Sequence, residues 1–86
     1  MLKITVEKSI PDTLLILEGS LSGLWVAELN QAVIDSGCQP DTIKLDITGI
    51  HFADEQGLLL IRELMVWGVS LAAASPFIKE LLKQQA

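Results

Sequence analysis

Carboxylates gather in one short stretch of the chain. Asp54 and Glu55 stand three and four residues after His51, and Gln56-Gly57 complete the run. His, Asp and Glu are metal-ligand types, but this spacing matches no recognised ligand set, so no metal is expected there. Asp46-Ile47-Thr48-Gly49 has the outline of the strand-end aspartate of a phosphoryl-transfer enzyme. The second aspartate that such a site needs is replaced by Thr48, and no Lys or Arg follows before Arg62 to balance a phosphate. Asp46 is therefore expected to order a turn. Ser20 and Ser22 have no base near them in sequence, so a nucleophile would lack its second member. The expectation is a chain with no catalytic residue and no cofactor.

Asp54 reads instead as a helix start. Its carboxylate can accept from an orphan N–H of the first turn, and Glu55 adds charge where the helix dipole favours it. Gly57 has no side chain, so something can approach the backbone closely there. At 3.6 residues per turn, Gly57, Leu60, Ile61, Leu64 and Gly68 face inward. Glu55, Leu59, Arg62, Glu63 and Val66 face outward, with Trp67 on the flank. Leu59 and Val66 are thus apolar residues on a face that should be wet, which marks a candidate partner surface.

The elements that position this helix follow from periodicity. Leu2, Ile4 and Val6 alternate with polar residues, as a strand with one wet face does. Leu14 to Leu17 is an unbroken apolar run, expected to be a strand covered on both sides and paired with the first in a hairpin. Ser22 is expected to cap a helix that stops at Gly37, with Trp25, Val26, Leu29, Ala32 and Val33 inside. Leu24 falls on its polar face, a candidate contact for a weak homodimer. Ile43, Leu45 and Ile47 form a third strand, and Thr48 to Ala53 read as a loop. Val69 to Ala72 is a short fourth strand. Ser75-Pro76 starts a third helix whose apolar stripe is Phe77, Ile78, Leu81 and Leu82. The order β-β-α-β-α-β-α predicts a small α/β domain: a mixed sheet of about four strands with about three helices, mainly on one face.

Composition limits the rest. The 86 residues fit one domain, 50% hydrophobic and 20% charged, with enough apolar residues for a core and some to spare. Six Lys/Arg against eleven Asp/Glu give a net charge of −5, and the bases are scattered. Nucleic acid and anionic membrane are therefore not expected as partners. Cys38 stands alone and cannot form an internal disulfide. No leader pattern opens the sequence, and the apolar stretch Leu64 to Ala74 is too short to span a bilayer. These features suit a cytoplasmic protein.

The run from Leu45 to Leu58, LDITGIHFADEQGL, resembles the signature of the STAS domain: an apolar strand, Asp, a short loop, then Asp-Ser-Ser-Gly-Leu. Leu17-Glu18-Gly19-Ser20-Leu21 is similar to the family's Gly-x-Leu strand end, and Leu71 to Leu82 to its last strand and helix. The resemblance covers nearly the whole chain. It implies a bacterial anti-sigma-factor antagonist-like module that binds a protein around the start of the second helix. Asp54, Glu55, Gln56, Gly57, Leu59, Arg62 and Glu63 would then form the recognition face. The partner it implies is an anti-sigma serine kinase. Two alternatives are an accessory subunit of a lipid-transport ATPase and a module for a nucleotide or other small ligand. Glu55 and Gln56 stand where the family has its two serines, so no phosphorylation is expected at this turn. The resemblance leaves a monomer or a weak homodimer open.

Overall fold

The computed structural model describes residues 1–9 and 11–84. Its elements are β1 (Leu2–Ser9), β2 (Asp12–Leu21), α1 (Leu24–Asp35), a 3-10 turn (Pro40–Thr42), β3 (Ile43–Ala53), α2 (Glu55–Trp67), β4 (Ser70–Ala74) and α3 (Pro76–Gln84). They make the expected α/β fold, with one sheet in the order β1-β2-β3-β4. The β1–β2 pair is antiparallel, as a short connection requires, and the two pairs joined through helices are parallel.

Register sorts the side chains onto two faces. Leu15 pairs with Leu45 and Thr13 with Ile43, so these residues share a face with Leu17 and Ile47. All are buried, and Leu29 and Val33 of α1, Leu58 and Ile61 of α2 and Ile78 of α3 complete the core. The other face carries Leu14, Ile16, Lys44 and Asp46. Here the structure corrects the expectation that β2 is covered on both sides. Leu14 and Ile16 are only half-buried, because their face carries no helix and is bordered by charge, including the Asp12–Lys44 ion pair at 3.5 Å.

The expected loop from Thr48 to Ala53 is also corrected: β3 runs unbroken to Ala53. Its buried residues there are Ile47, Ile50 and Ala53, a spacing of three. Register shifts between Ile16 and Glu18 and between Gly19 and Ser20 change the phase of the pleat, so the period of two disappears while pairing continues. Gly49 sits within this irregular stretch. A methyl group there would lie 2.9 Å from Cγ of Glu18.

The helix boundaries follow capping chemistry, with one exception. Ser36 closes α1, its Oγ donating to the Val33 carbonyl at 2.7 Å, and Gly37 follows with φ +66°. Ser75 Oγ accepts from the Ile78 N–H at 3.2 Å and starts α3. The exception is Ser22: the N-cap of α1 is Gly23, which has no side chain to offer. Two apolar stripes are narrower than expected. Trp25, Val26 and Ala32 are half-buried, and Phe77 is 57% exposed. Leu58, which the helical pattern had not placed inside, is buried.

Candidate functional site

β3 delivers the chain to Asp54, the N-cap of α2. Its Oδ1 accepts the Gly57 N–H at 2.7 Å, and its Oδ2 accepts the Gly23 N–H at 3.1 Å. One carboxylate therefore satisfies donors at the starts of both α1 and α2. The Asp54 N–H itself donates to the Leu21 carbonyl at 3.1 Å, so the ends of β2 and β3 and the starts of two helices meet at one residue.

Gly57 is needed for packing at this junction. A Cβ on it would collide with the Leu21 carbonyl oxygen and lie 3.0 Å from Leu21 Cγ. The close approach inferred from its missing side chain is real, and strand β2 makes it.

Beside the junction, an open groove of about 410 Å³ separates α1 from α2. Gly23, Val26 and Asn30 line one wall, and Gln56, Leu59 and Glu63 line the other. A second hollow of about 280 Å³ shares Asn30, Leu60 and Glu63 with it and extends to Ile34 and Trp67. Leu59 is 45% exposed and Trp67 is 54% exposed at the rim. Near the top, Leu24 is 85% exposed. The α1 wall and its neighbours were not legible as part of the site, because helix periodicity assigns faces to each helix separately.

The expected recognition residues divide. Gln56, Leu59 and Glu63 line the α1 groove, and Glu55 is exposed in the first turn of α2. Arg62 turns the other way. Its guanidinium donates to the Leu82 carbonyl at 2.9 Å, and it lines a hollow with Met65, Val66 and Leu82 between α2 and α3. The structure thus separates Arg62 and Val66 from Leu59 and Glu63.

The candidate metal ligands do not converge. Both oxygens of Asp54 accept backbone N–H groups, and His51 Nε2 lies 3.1 Å from Ser20 Oγ. Among the described residues, no three side chains of ligand type come together. Asp46 Oδ1 accepts the Thr48 N–H at 3.0 Å, but both residues lie within β3, so the turn expected at Asp46 is replaced by a local contact along a strand.

The Ser20–His51 contact corrects the reading that Ser20 lacks a base. The pair went unseen because residues 48–53 read as a loop, whereas strand pairing sets Ser20 beside Phe52 and brings His51 alongside. The pair borders a shallow hollow with Lys3 and Glu18. A hydroxyl and an imidazole are two members of a nucleophilic triad. The Ser20 N–H is already donated to the Met1 carbonyl at 2.9 Å, so it is not free to stabilise an oxyanion.

No family model and no curated protein matches the chain. Solved structures do. One described as "Crystal Structure Analysis of Mglu" superimposes with a TM-score of 0.63 at 22% identity, over 84% of this chain. Another, of Mglu in its native form in 4.3 M NaCl, gives a TM-score of 0.45 at 16% identity, over 83% of this chain. This chain spans 19% and 26% of those chains respectively. The first likeness establishes that the fold recurs in a known structure.

Proposed function

We propose that the chain is a non-catalytic, cytoplasmic regulatory or adaptor module that binds a protein partner beside the start of α2. The supporting observation is the open groove next to the Asp54 junction, rigid at its top and lined by half-exposed apolar side chains. Interfaces draw most of their affinity from such clusters, ringed by polar groups. The STAS resemblance points to the same place, since Asp54 stands at the aspartate of that signature. Glu55, Gln56, Leu59 and Glu63 supply the contacts on α2. Asp54 and Gly57 fix its start, and Arg62 anchors the α3 side. Glu55 and Gln56 carry no hydroxyl, so partner release does not run through phosphorylation of this turn.

The test is affinity capture from the native host with the wild-type chain and with Leu59→Glu. A protein retained by the wild type and lost with the variant, at unchanged circular dichroism, supports the reading; equal capture overturns it. A soluble kinase-like protein in that set identifies an anti-sigma system, and a membrane ATPase identifies the transporter-subunit alternative.

A further inference from the structure

We propose that α2 is the seam of a weak homodimer, in which its outer ridge packs on the same ridge of a second copy with the two helices parallel. The inference goes beyond the adaptor reading and stands without it.

The ridge is the first argument. Leu59 and Val66 are seven residues apart, nearly two full turns, so they share one line along α2. Leu59 is 45% exposed and Val66 is 90% exposed, the highest value among the described large hydrophobic residues. Apolar residues seven apart are the repeat with which one helix packs along another.

Charge is the second argument, and it selects the occupant. Arg62 and Glu63 follow Leu59 by three and four residues, so they stand on opposite sides of the ridge. On the Arg62 side, the hollow between α2 and α3 is lined by two bases, Arg62 and Lys83, and by no acid. Exposed Lys79 lies on α3 as well, with Glu80 as that helix's one acid. On the other side, Glu63 is the one charged residue lining the two hollows against α1. Beyond it, α1 carries Glu28 and Asp35 and no Lys or Arg. The ridge therefore has a basic flank and an acidic flank. A two-fold axis running along α2 sets the acidic flank of one copy against the basic flank of the other, and symmetry does so twice. Glu63 then faces Arg62 and Lys83 of the second copy, while Leu59 and Val66 meet their own counterparts. An axis across α2 would set Glu63 against Glu63 and Arg62 against Arg62, so charge also fixes the helices as parallel. At long range two copies of net charge −5 repel. One helix ridge with its flanks is a small contact, and the dimer it makes is weak and concentration-dependent.

The experiment uses the full chain in sedimentation velocity from about 10 μM to about 1 mM, the range in which a small interface shows. The mass should rise from 9.4 kDa toward twice that value. NMR shifts that grow with concentration should centre on Leu59, Glu63 and Val66. Val66→Glu should stay monomeric throughout at unchanged circular dichroism, because the side chain is almost fully exposed. Glu63→Lys and Lys83→Glu should each weaken association by about threefold or more, since symmetry counts each change twice. An equal mixture of those two variants should associate more tightly than either alone, because a mixed pair restores both charge contacts. A chain that stays monomeric at the highest concentration overturns the inference. So do a dimer untouched by Val66→Glu, shifts centred on Leu24 or the open sheet face, and a mixture no tighter than its components. Leu59 is unchanged in all three variants, so the failure of this dimer and the failure of the adaptor reading are read from different proteins.

Discussion

Asp54 and Gly23 are 31 residues apart in sequence and are joined by a single 3.1 Å hydrogen bond from the Gly23 N–H to the Asp54 carboxylate. Gly23 has φ +57°, a backbone state suited to glycine, and it has no side chain with which to cap its own helix. The acceptor comes from the next helix over. The same carboxylate caps α2 through Gly57, so the two helices share one starting point and the upper end of the groove between them is fixed.

Removing that carboxylate should loosen both helix starts. Asp54→Ala is expected to cost about 1–2 kcal/mol, lowering Tm by roughly 5–15 °C in a domain of this size. Asp54→Asn should cost less, because its amide oxygen still accepts from Gly57. Its NH2 group cannot accept from Gly23. Hydrogen exchange separates the two effects: in the Asn variant the Gly23 amide should exchange faster while the Gly57 amide stays protected. Equal acceleration at both amides would show that the two bonds are not independent.

Gly57→Ala should reverse the usual rule for helices. Replacing an exposed helical glycine by alanine normally gains up to about 1 kcal/mol. Here the new methyl meets the Leu21 carbonyl oxygen, a backbone atom held in the sheet. The expected outcome in urea unfolding is a loss of roughly 1–3 kcal/mol. Gln56→Ala, one position earlier and exposed, should stay within about 0.5 kcal/mol of the wild type.

These two residues also show how far the sequence could be read. Asp54 as a cap and Gly57 as a point of close approach followed from local chemistry, because helix starts have a fixed pattern of unsatisfied donors. The element order followed from periodicity. What escaped was everything set by register or by a distant partner. The bulged stretch of β3 hides its strand character, because a phase shift between pleats removes the alternation that identifies a strand. The pairing of His51 with Ser20 was hidden for the same reason. Ser22 is the commoner capping residue, yet a carboxylate from 31 residues away makes its hydroxyl unnecessary. The division of Leu59 from Arg62 depends on where α1 and α3 pack, and no single-helix pattern contains that.

Cys38 should titrate below an ordinary thiol. The hydrogen bond with Thr13 Oγ1, at 3.3 Å, is the main cause; burial opposes it, while Ser36 and Lys8 add to the lowering. Because the folded state favours the thiolate, folding gains stability as pH rises through the folded value, and the gain is complete above the unfolded one. The same gain is lost as pH falls back through the folded value. The rate of alkylation by iodoacetamide against pH should therefore have its midpoint below that of the unfolded chain. Thr13→Val keeps the volume and removes the hydroxyl, and it should move the midpoint upward. An unmoved midpoint would assign the shift to Ser36 or Lys8.

Ser20 and His51 should support no hydrolysis despite their 3.1 Å contact. A serine nucleophile needs a base, a group that orients the base, and donors for the oxyanion. The Ser20 N–H is held by the Met1 carbonyl. Among the described residues, the only hydrogen bond seen at His51's side chain is the one to Ser20. His51 is exposed, so water competes for the imidazole. With p-nitrophenyl acetate, the wild type and Ser20→Ala should release nitrophenol at the same rate. His51→Ala should lower that rate only by the background contribution of a free imidazole. A burst of nitrophenol in the wild type that Ser20→Ala abolishes would establish an acyl-enzyme and overturn the non-catalytic reading of the chain.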